Sequence, residues 1–385
     1  LTQVDQRRKL SSFMMLKDDL FSIPGSDARG ATHPPFRERT GEASRMALPR
    51  FGRGRSASIL IVVLWLVFLL GALSLGLGAR VSGRIRVAER VQRQTWAMAA
   101  ARAGIAAAQA EIAEVGTNRW HCRSDPWADD PGRFHAIPVP PGQFSLIVPG
   151  ENKPRYGLDD ESGKLNLNAL PQTPEGFALL KELLIQVGPP DPSAAGRLAA
   201  AIFDWRDGSN GVYQVGNDAG AEADYYLNQP VPYRPHDDRL TTLEELLWVR
   251  GMDTGRFERL QPHVTIYGAN AAININTATR KVLLAAARSR GATAATADSI
   301  VKSIEQVRSG PPVFTNQSAI LSVLQKNIKG AEWTLLNELY SLLTVRSSHF
   351  RVTSEGYAQP GETQAVCRIE AVLDYESRIV GWREE

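Results

Sequence analysis

Asp204, Asp207, Ser209 and Asn210 fall in one short stretch of the chain. Glu222 and Asp224 follow after a glycine-bearing loop, NGVYQVGNDAG. A hard cation such as Ca²⁺ takes about six to eight oxygen ligands from carboxylates, amides and backbone carbonyls. Acidic residues at short alternating spacings can converge on one such ion. The spacing here is not that of an EF-hand loop, so spacing alone reads more plainly as a solvated polar loop. Asp159, Asp160 and Glu161 form a second acidic group, which reads first as a solvated turn and second as a helper metal ligand. Tyr225 and Tyr226 read as packing residues.

No other constellation points to catalysis. His121, His135, His236, His263 and His349 are scattered, and the chain has no Gly-x-Ser-x-Gly, P-loop or His-Glu-x-x-His string. A non-enzymatic role is therefore expected. Cys122 and Cys367 match no zinc spacing; they read equally as a disulfide pair or as two unrelated thiols. The segment ININTAT, a helix, ARSRG, a second helix and GPPVF has the order of a helix-hairpin-helix unit, which holds DNA phosphates on a glycine-rich turn. Its hairpin has one Gly and no Gly-x-Gly. The surrounding block carries many acids, which repel a duplex. Protein contact by a SAM-like helical fold is the plainer reading, with a membrane-anchored DNA-binding or uptake protein as the alternative.

These residues need elements to hold them. From Thr173 to about Val345 the pattern is mostly helical, with helices predicted at 174–187, 193–204, 242–249, 254–261, 279–288, 296–309 and 315–324. Several begin at a Ser or Thr cap position, and TTLEE fits a capping box. Strands flank this block. QFSLIV precedes it, while FRVTSEGY and QAVCRIEAVLDY follow it and alternate apolar with polar as a hairpin. The expected fold class is α+β: a long N-terminal, partly transmembrane helix packed on a small antiparallel sheet, with a large SAM-like, helix-hairpin-helix-like insertion in one sheet connection.

The N-terminal helix carries the clearest single signal. Ile59–Gly78 reads ILIVVLWLVFLLGALSLGLG, without a charge. About 20 such residues span a bilayer core. Arg45, Arg50, Arg53 and Arg55 precede it, which favours a cytoplasmic N-terminus, but Arg80, Arg84, Arg86 and Arg90 follow it, so the charge rule alone leaves orientation open. The helical pattern runs on to about Val115, rich in Ala, Gln and Glu. Residues 1–45 carry polar, Pro and Arg clusters without a period. They read as a disordered extension or a misplaced start, with Met46 opening a short basic leader. The expected divisions are 1–57 leader and extension, 58–79 transmembrane half-helix, 80–172 remaining helix and first strands, 173–345 helical insertion, and 346–385 last strands. The chain has 385 residues, 43% hydrophobic and 22% charged, with a net charge of +3. That suits a folded protein and calls for no polyanionic partner.

Taken in order, ILIVVLWL, YGLDDESGKLNLNAL, AIFDWRDGSN with GAEADYY, LTTLEELLWVRGM and ININTAT resemble the K-type minor pseudopilins of bacterial type II secretion systems. The strings cover roughly residues 52 to 375. The resemblance implies a subunit that caps the pseudopilus tip with I- and J-type partners, starts the filament for export of folded proteins, and meets the inner-membrane platform. It implies no nucleic acid. It also implies inner-membrane lipid around the helix, a periplasmic bulk, and methylation after cleavage by prepilin peptidase. Alignment puts the cut between Ala57 and Ser58, with Gly54 and Arg55 as the alternative. Major pilin-type subunits carry a Glu near the mature N-terminus that pairs with a neighbour's amine. That position is Val62 here, or Ile59 under the alternative cut, which suits a subunit with none above it. The resemblance further implies Ca²⁺ held by Asp204, Asp207, Ser209, Asn210, Glu222 and Asp224. Ser209 stands where a typical family string has another acid.

Overall fold

The computed structural model describes residues 55–385, save 117–119, 151–152, 190, 312–313, 327 and 363–366. The leader expected over residues 1–57 lies outside the described residues as far as Gly54. At Arg55, Ala57 and Ser58 only helical backbone is described. The first helix, α1, runs Arg55–Val115. The chain divides into two compact units, Leu1–Leu73 and Ser74–Glu385.

In the first unit, every side chain from Ile59 to Leu73 is exposed, including Leu60 at 72% and Phe68 at 71%. Uncharged Leu, Ile, Val and Phe on all sides of a helix leave no polar face for water. Such a surface is stable in hydrocarbon, where the helix satisfies its own backbone groups. Among the described residues this is the one helix long and apolar enough to cross a membrane.

In the second unit, the end of α1 is amphipathic. Ala97, Ala101, Ile105, Ala108 and Ile112 recur every three or four residues and are all buried. They pack on a sheet of seven strands among the described residues: β1 Ile137–Val139, β2 Gly142–Val148, β3 Arg155–Tyr156, β4 Asp159–Asp160, β5 His349–Tyr357, β6 Cys367–Asp374 and β7 Ile379–Glu384. The order is β1-β2-β5-β6-β7. β3 pairs with β2, β4 pairs with β5, and all pairings are antiparallel. Phe144, Leu146, Val352, Ile369, Ala371 and Leu373 meet the helix. The small residues of α1 let the backbones approach closely. A Cβ on Gly356 of β5 would lie 1.9 Å from the carbonyl oxygen of Ala97. Gly356→Ala should therefore lift α1 from the sheet and cost about 1–3 kcal/mol, an overpacking penalty. An unchanged denaturation midpoint would show that helix and strand are not so close.

The helical block leaves the sheet after β4 and returns at β5, its immediate neighbour, with Asp160 opposite Phe350. The insertion is thus confined to one sheet connection, as the sequence pattern indicates. A single turn, α2, at Pro131–Phe134 precedes the sheet. The block holds α3 Pro174–Val187, α4 Pro192–Arg206, α5 Ala223–Leu227, α6 Thr254–Leu260, α7 Arg280–Ser289, α8 Ala294–Arg308, α9 Gln317–Leu324 and α10 Ala331–Tyr340. Caps fix several starts: the Thr173, Asp191, Asp253, Thr279, Thr293 and Asn316 side chains accept from first-turn amides. The segment Leu243–Trp248 is a 3₁₀ helix behind a Thr242/Glu245 capping box. Leu180, Leu183, Ile202, Phe203, Leu260 and Ile300 sit in the block's core. Cys122 and Cys367 are both buried and both free.

Candidate functional site

Asp204 lies in the last turn of α4 and is fully buried. Its Oδ1 accepts from the Tyr213 amide at 2.6 Å, while its Oδ2 is sealed from solvent with no hydrogen-bond partner. The chain passes tightly over this oxygen. A Cβ on Gly220 would stand 2.0 Å from it, so only Gly fits. Glu222 occupies the N-cap position of α5 but makes no side-chain cap bond, and its Oε1 is likewise buried and unpartnered. Burial, with the charge of Asp207 adding to it, pushes the Asp204 carboxyl up to about 6. Burial first, then the charges of Asp204, Asp207 and Asp237, push Glu222 up to about 7. Two buried carboxylates with open oxygens, surrounded by more negative charge, are costly unless a proton or a cation joins them.

Four acids thus feel one another's charge: Asp204, Asp207, Glu222 and Asp237. Asp207 terminates α4. Its Oδ1 accepts from the Ser209 amide at 2.8 Å, and its other oxygen accepts from Gln172 Nε2. Ser209 Oγ donates to the Gly211 carbonyl at 3.3 Å. Asn210 and Asp224 are exposed, and neither bonds to these carboxylates. Asp237 was not expected. It follows a Pro-rich loop 30 residues after Asp207, and no spacing rule links the two. As placed, no three His, Cys, Asp or Glu side chains among the described residues stand close enough to hold a metal ion. The donor chemistry fits a hard cation; the ring of ligands is not closed. Tyr226 is core, as expected. Tyr225 is partly exposed with the Arg250 guanidinium 4.7 Å over its ring.

The second acidic group is not a solvated turn. Asp160 and Glu161 are buried, because the turn that holds them is the joint between the sheet and the helical block. Asp160 accepts from Ser347 Oγ at 2.6 Å, Thr277 Oγ1 at 2.5 Å, Asn274 Nδ2 at 3.0 Å and the Ser162 amide at 2.8 Å. Burial nonetheless raises it to about 6. Glu161 pairs with Lys164 at 2.5 Å and Arg351 at 2.8 Å, and accepts from Thr265 Oγ1. Burial raises its proton affinity, but the two cations outweigh burial and hold it well below the usual carboxylate range. Asp159 bonds Lys164 at 2.9 Å and Arg155 at 3.3 Å. These oxygens are committed to protein partners, which leaves no helper role for a metal.

The helix-hairpin-helix element exists as α7, a turn with Gly291 at φ +85°, and α8. Two of its arginines are engaged with acids: Arg280 pairs with Asp298 and Glu305, and Arg288 lies 3.6 Å from Glu182. His263, beside α7, is buried, which lowers it to about 4, and its Nδ1 lies 2.9 Å from Thr279 Oγ1. It is a neutral structural residue.

Residues 163–269 match the family model for type II secretion system (T2SS) protein K. The chain is 36% identical over 129 residues to type II secretion system protein K of Pectobacterium carotovorum subsp. carotovorum, covering 33% of this chain and 36% of that protein. It is 35% identical over 107 residues to the Dickeya chrysanthemi protein of that name, covering 28% of each. It is 28% identical over 241 residues to the Pseudomonas aeruginosa one, covering 60% of this chain and 68% of that protein. The matched part thus spans about a third of the first two relatives. The fold is similar to a chain of the GspK-GspI-GspJ complex from the enterotoxigenic Escherichia coli type 2 secretion system. That match has a TM-score of 0.58 and 19% identity, and covers 78% of this chain and 99% of the other.

Proposed function

We propose that the chain, whose residues 163–269 match the family model for type II secretion system protein K, is a minor pseudopilin that caps the pseudopilus tip. One observation carries the reading: a helix-on-sheet unit of pilin type receives a large helical block between adjacent strands β4 and β5. A bulky block beside the sheet leaves little room for a following subunit. The role is assembly through contact, and no chemical step is assigned to any residue. I- and J-type pseudopilins are the proposed partners, together with the inner-membrane platform. The apolar part of α1 anchors the chain in the inner membrane, with the short N-terminus cytoplasmic and the bulk periplasmic, until it packs among other pseudopilin helices. Prepilin peptidase cleaves before Ser58, with Arg55 as the alternative.

Calcium belongs to the same proposal. Asp204 and Glu222 would hold the ion through their open oxygens, with Asp207 and Asp237 beside them. The ion would offset two of the four negative charges and fix the loop between α4 and α5.

The deciding experiment expresses the chain in a bacterium lacking its own protein K. Restored export, and co-purification with I- and J-type subunits, are expected. A chain made and retained in the membrane that restores neither sinks the reading. Phe68→Arg at the middle of the apolar run tests the anchor. Arg there costs about 2.5–3.5 kcal/mol of insertion, so the variant should move from the membrane to the soluble fraction. Undiminished retention would mean that another segment holds the chain.

A further inference from the structure

The segment Ile273–Thr279 crosses the block's interior and turns into α7. Its carbonyls at Ile275, Thr277 and Ala278 are taken up by two arginines from elsewhere. Arg123, in the loop after α1, donates to the Thr277 oxygen through Nε at 3.0 Å and Nη2 at 2.6 Å. Arg308, the last residue of α8, donates through Nη1 to the Ile275 oxygen at 2.9 Å and the Ala278 oxygen at 2.8 Å. One turn therefore holds two guanidiniums side by side, each oriented by backbone. Both line a cavity of about 260 Å³, whose wall also includes Ser124, Asn276 and Glu305.

The charges of Asp159 and Asp160 favour the Arg123 cation and that of Glu305 favours Arg308, but none of the three forms an ion pair with it. Among the described residues neither arginine is in an ion pair. Glu305 is committed to Arg280. Asp159 and Asp160 lie near Arg123, but their oxygens serve Lys164 and Arg155 in one case and Ser347, Thr277 and Asn274 in the other. Burial, and then the charge of Arg123, lower Arg308 to about 10. Arg123 Nη1 and Arg308 Nε and Nη2 have no protein partner among the described residues. Arg123 is open to solvent, so an ion can enter. A guanidinium presents its N–H groups as a rigid fork suited to oxyanions.

We propose that Arg123 and Arg308, set by the Ile273–Thr279 turn, bind a small divalent oxyanion of phosphate or sulfate size. The ion bridges the loop after α1 to the end of α8, and so ties the pseudopilin unit to its helical block. The site is separate from the acids around Asp204 and takes a ligand of opposite charge.

The test is calorimetric titration of the full chain in non-ionic detergent, with sodium phosphate and then sodium sulfate, at constant ionic strength in chloride. Saturable binding of one ion is expected. Arg123→Gln and Arg308→Gln should each weaken it about tenfold or more, the loss of charge-assisted hydrogen bonds. Glu305→Gln, which leaves the turn's bonds in place, should tighten it. Arg197→Gln, remote and exposed, should leave it unchanged. Binding of only one of the two anions would name the ion. Heat that never saturates, or equal shifts in Glu305→Gln and Arg197→Gln, would overturn the site.

Discussion

Asp204→Asn should raise the melting temperature of the calcium-free chain and abolish its response to calcium. Folding lifts the Asp204 carboxyl from its ordinary range to about 6 and Glu222 to about 7. Each therefore holds its proton more tightly folded than unfolded. Their contribution is neutral below about pH 4, turns unfavourable as pH rises, and levels off above about pH 7. Without a cation, stability should thus fall across this window through these two groups. An amide at 204 removes the charge and relieves a penalty on the order of 1–3 kcal/mol, or several degrees for a chain of this size. Calcium reverses the sign of the same geometry. At a hundredfold excess over Kd it should stabilise the unmodified protein by about 2.7 kcal/mol, while Asp204→Asn and Glu222→Gln should gain little. Scanning calorimetry at pH 5 and pH 8, with calcium and with chelator, reads all of this. Identical curves for the unmodified protein would remove the ion from the site. A lower melting point for calcium-free Asp204→Asn would mean that the carboxylate is already satisfied by the protein.

Glu161→Gln should be the most destabilising single change at the joint. The side chain keeps its shape but no longer neutralises the buried Lys164 and the partly buried Arg351, which are left with Asp159 and Glu370. Breaking one partner of such a group costs about 3–5 kcal/mol. The pH dependence separates charge from packing. Glu161 is depressed when folded, so its contribution is fully present above about pH 4.5 and is lost as pH falls below that. Urea unfolding should show a large gap between variant and unmodified protein at pH 7 that narrows toward pH 3. A gap that is small at pH 7, or that does not change with pH, would show that Glu161 serves by shape alone.

Periodicity made most of the fold legible. The uncharged run, the Ser and Thr caps before the helices, and the alternation in FRVTSEGY each report a local rule, and the elements follow them. The helix expected over 242–249 is a 3₁₀ helix over Leu243–Trp248, between the Thr242/Glu245 capping box and Val249 in extended backbone. The last strand, β7, has no signature in the sequence, because IVGWRE is an edge strand with exposed apolar residues and no clean alternation. The site was legible only in part. Asp204, Asp207 and Glu222 group by nearness in sequence, whereas Asp237 joins their charges only through the fold. The DDESGK turn was misread for a related reason. Three acids in a row look solvated until Arg351, 190 residues from Glu161, supplies the buried countercharge.

That separation bears on the order in which the chain can fold. The Ala-rich face of α1 is covered by β2, β5 and β6 together, and neither β4 nor β6 can pair until β5 arrives. Everything between them is the helical block, rich in local contacts and able to form as it emerges. Pairings between sequence-distant strands are slow because a long loop must close first. Here the loop is itself a folded body whose two ends lie side by side, so most of the closure entropy is already spent when β5 appears. Until then the small-residue face of α1 rests only on β2 and the strands paired with it. A chain stopped before residue 349 would hold a finished helical block beside a half-covered helix, in the state most open to wrong partners.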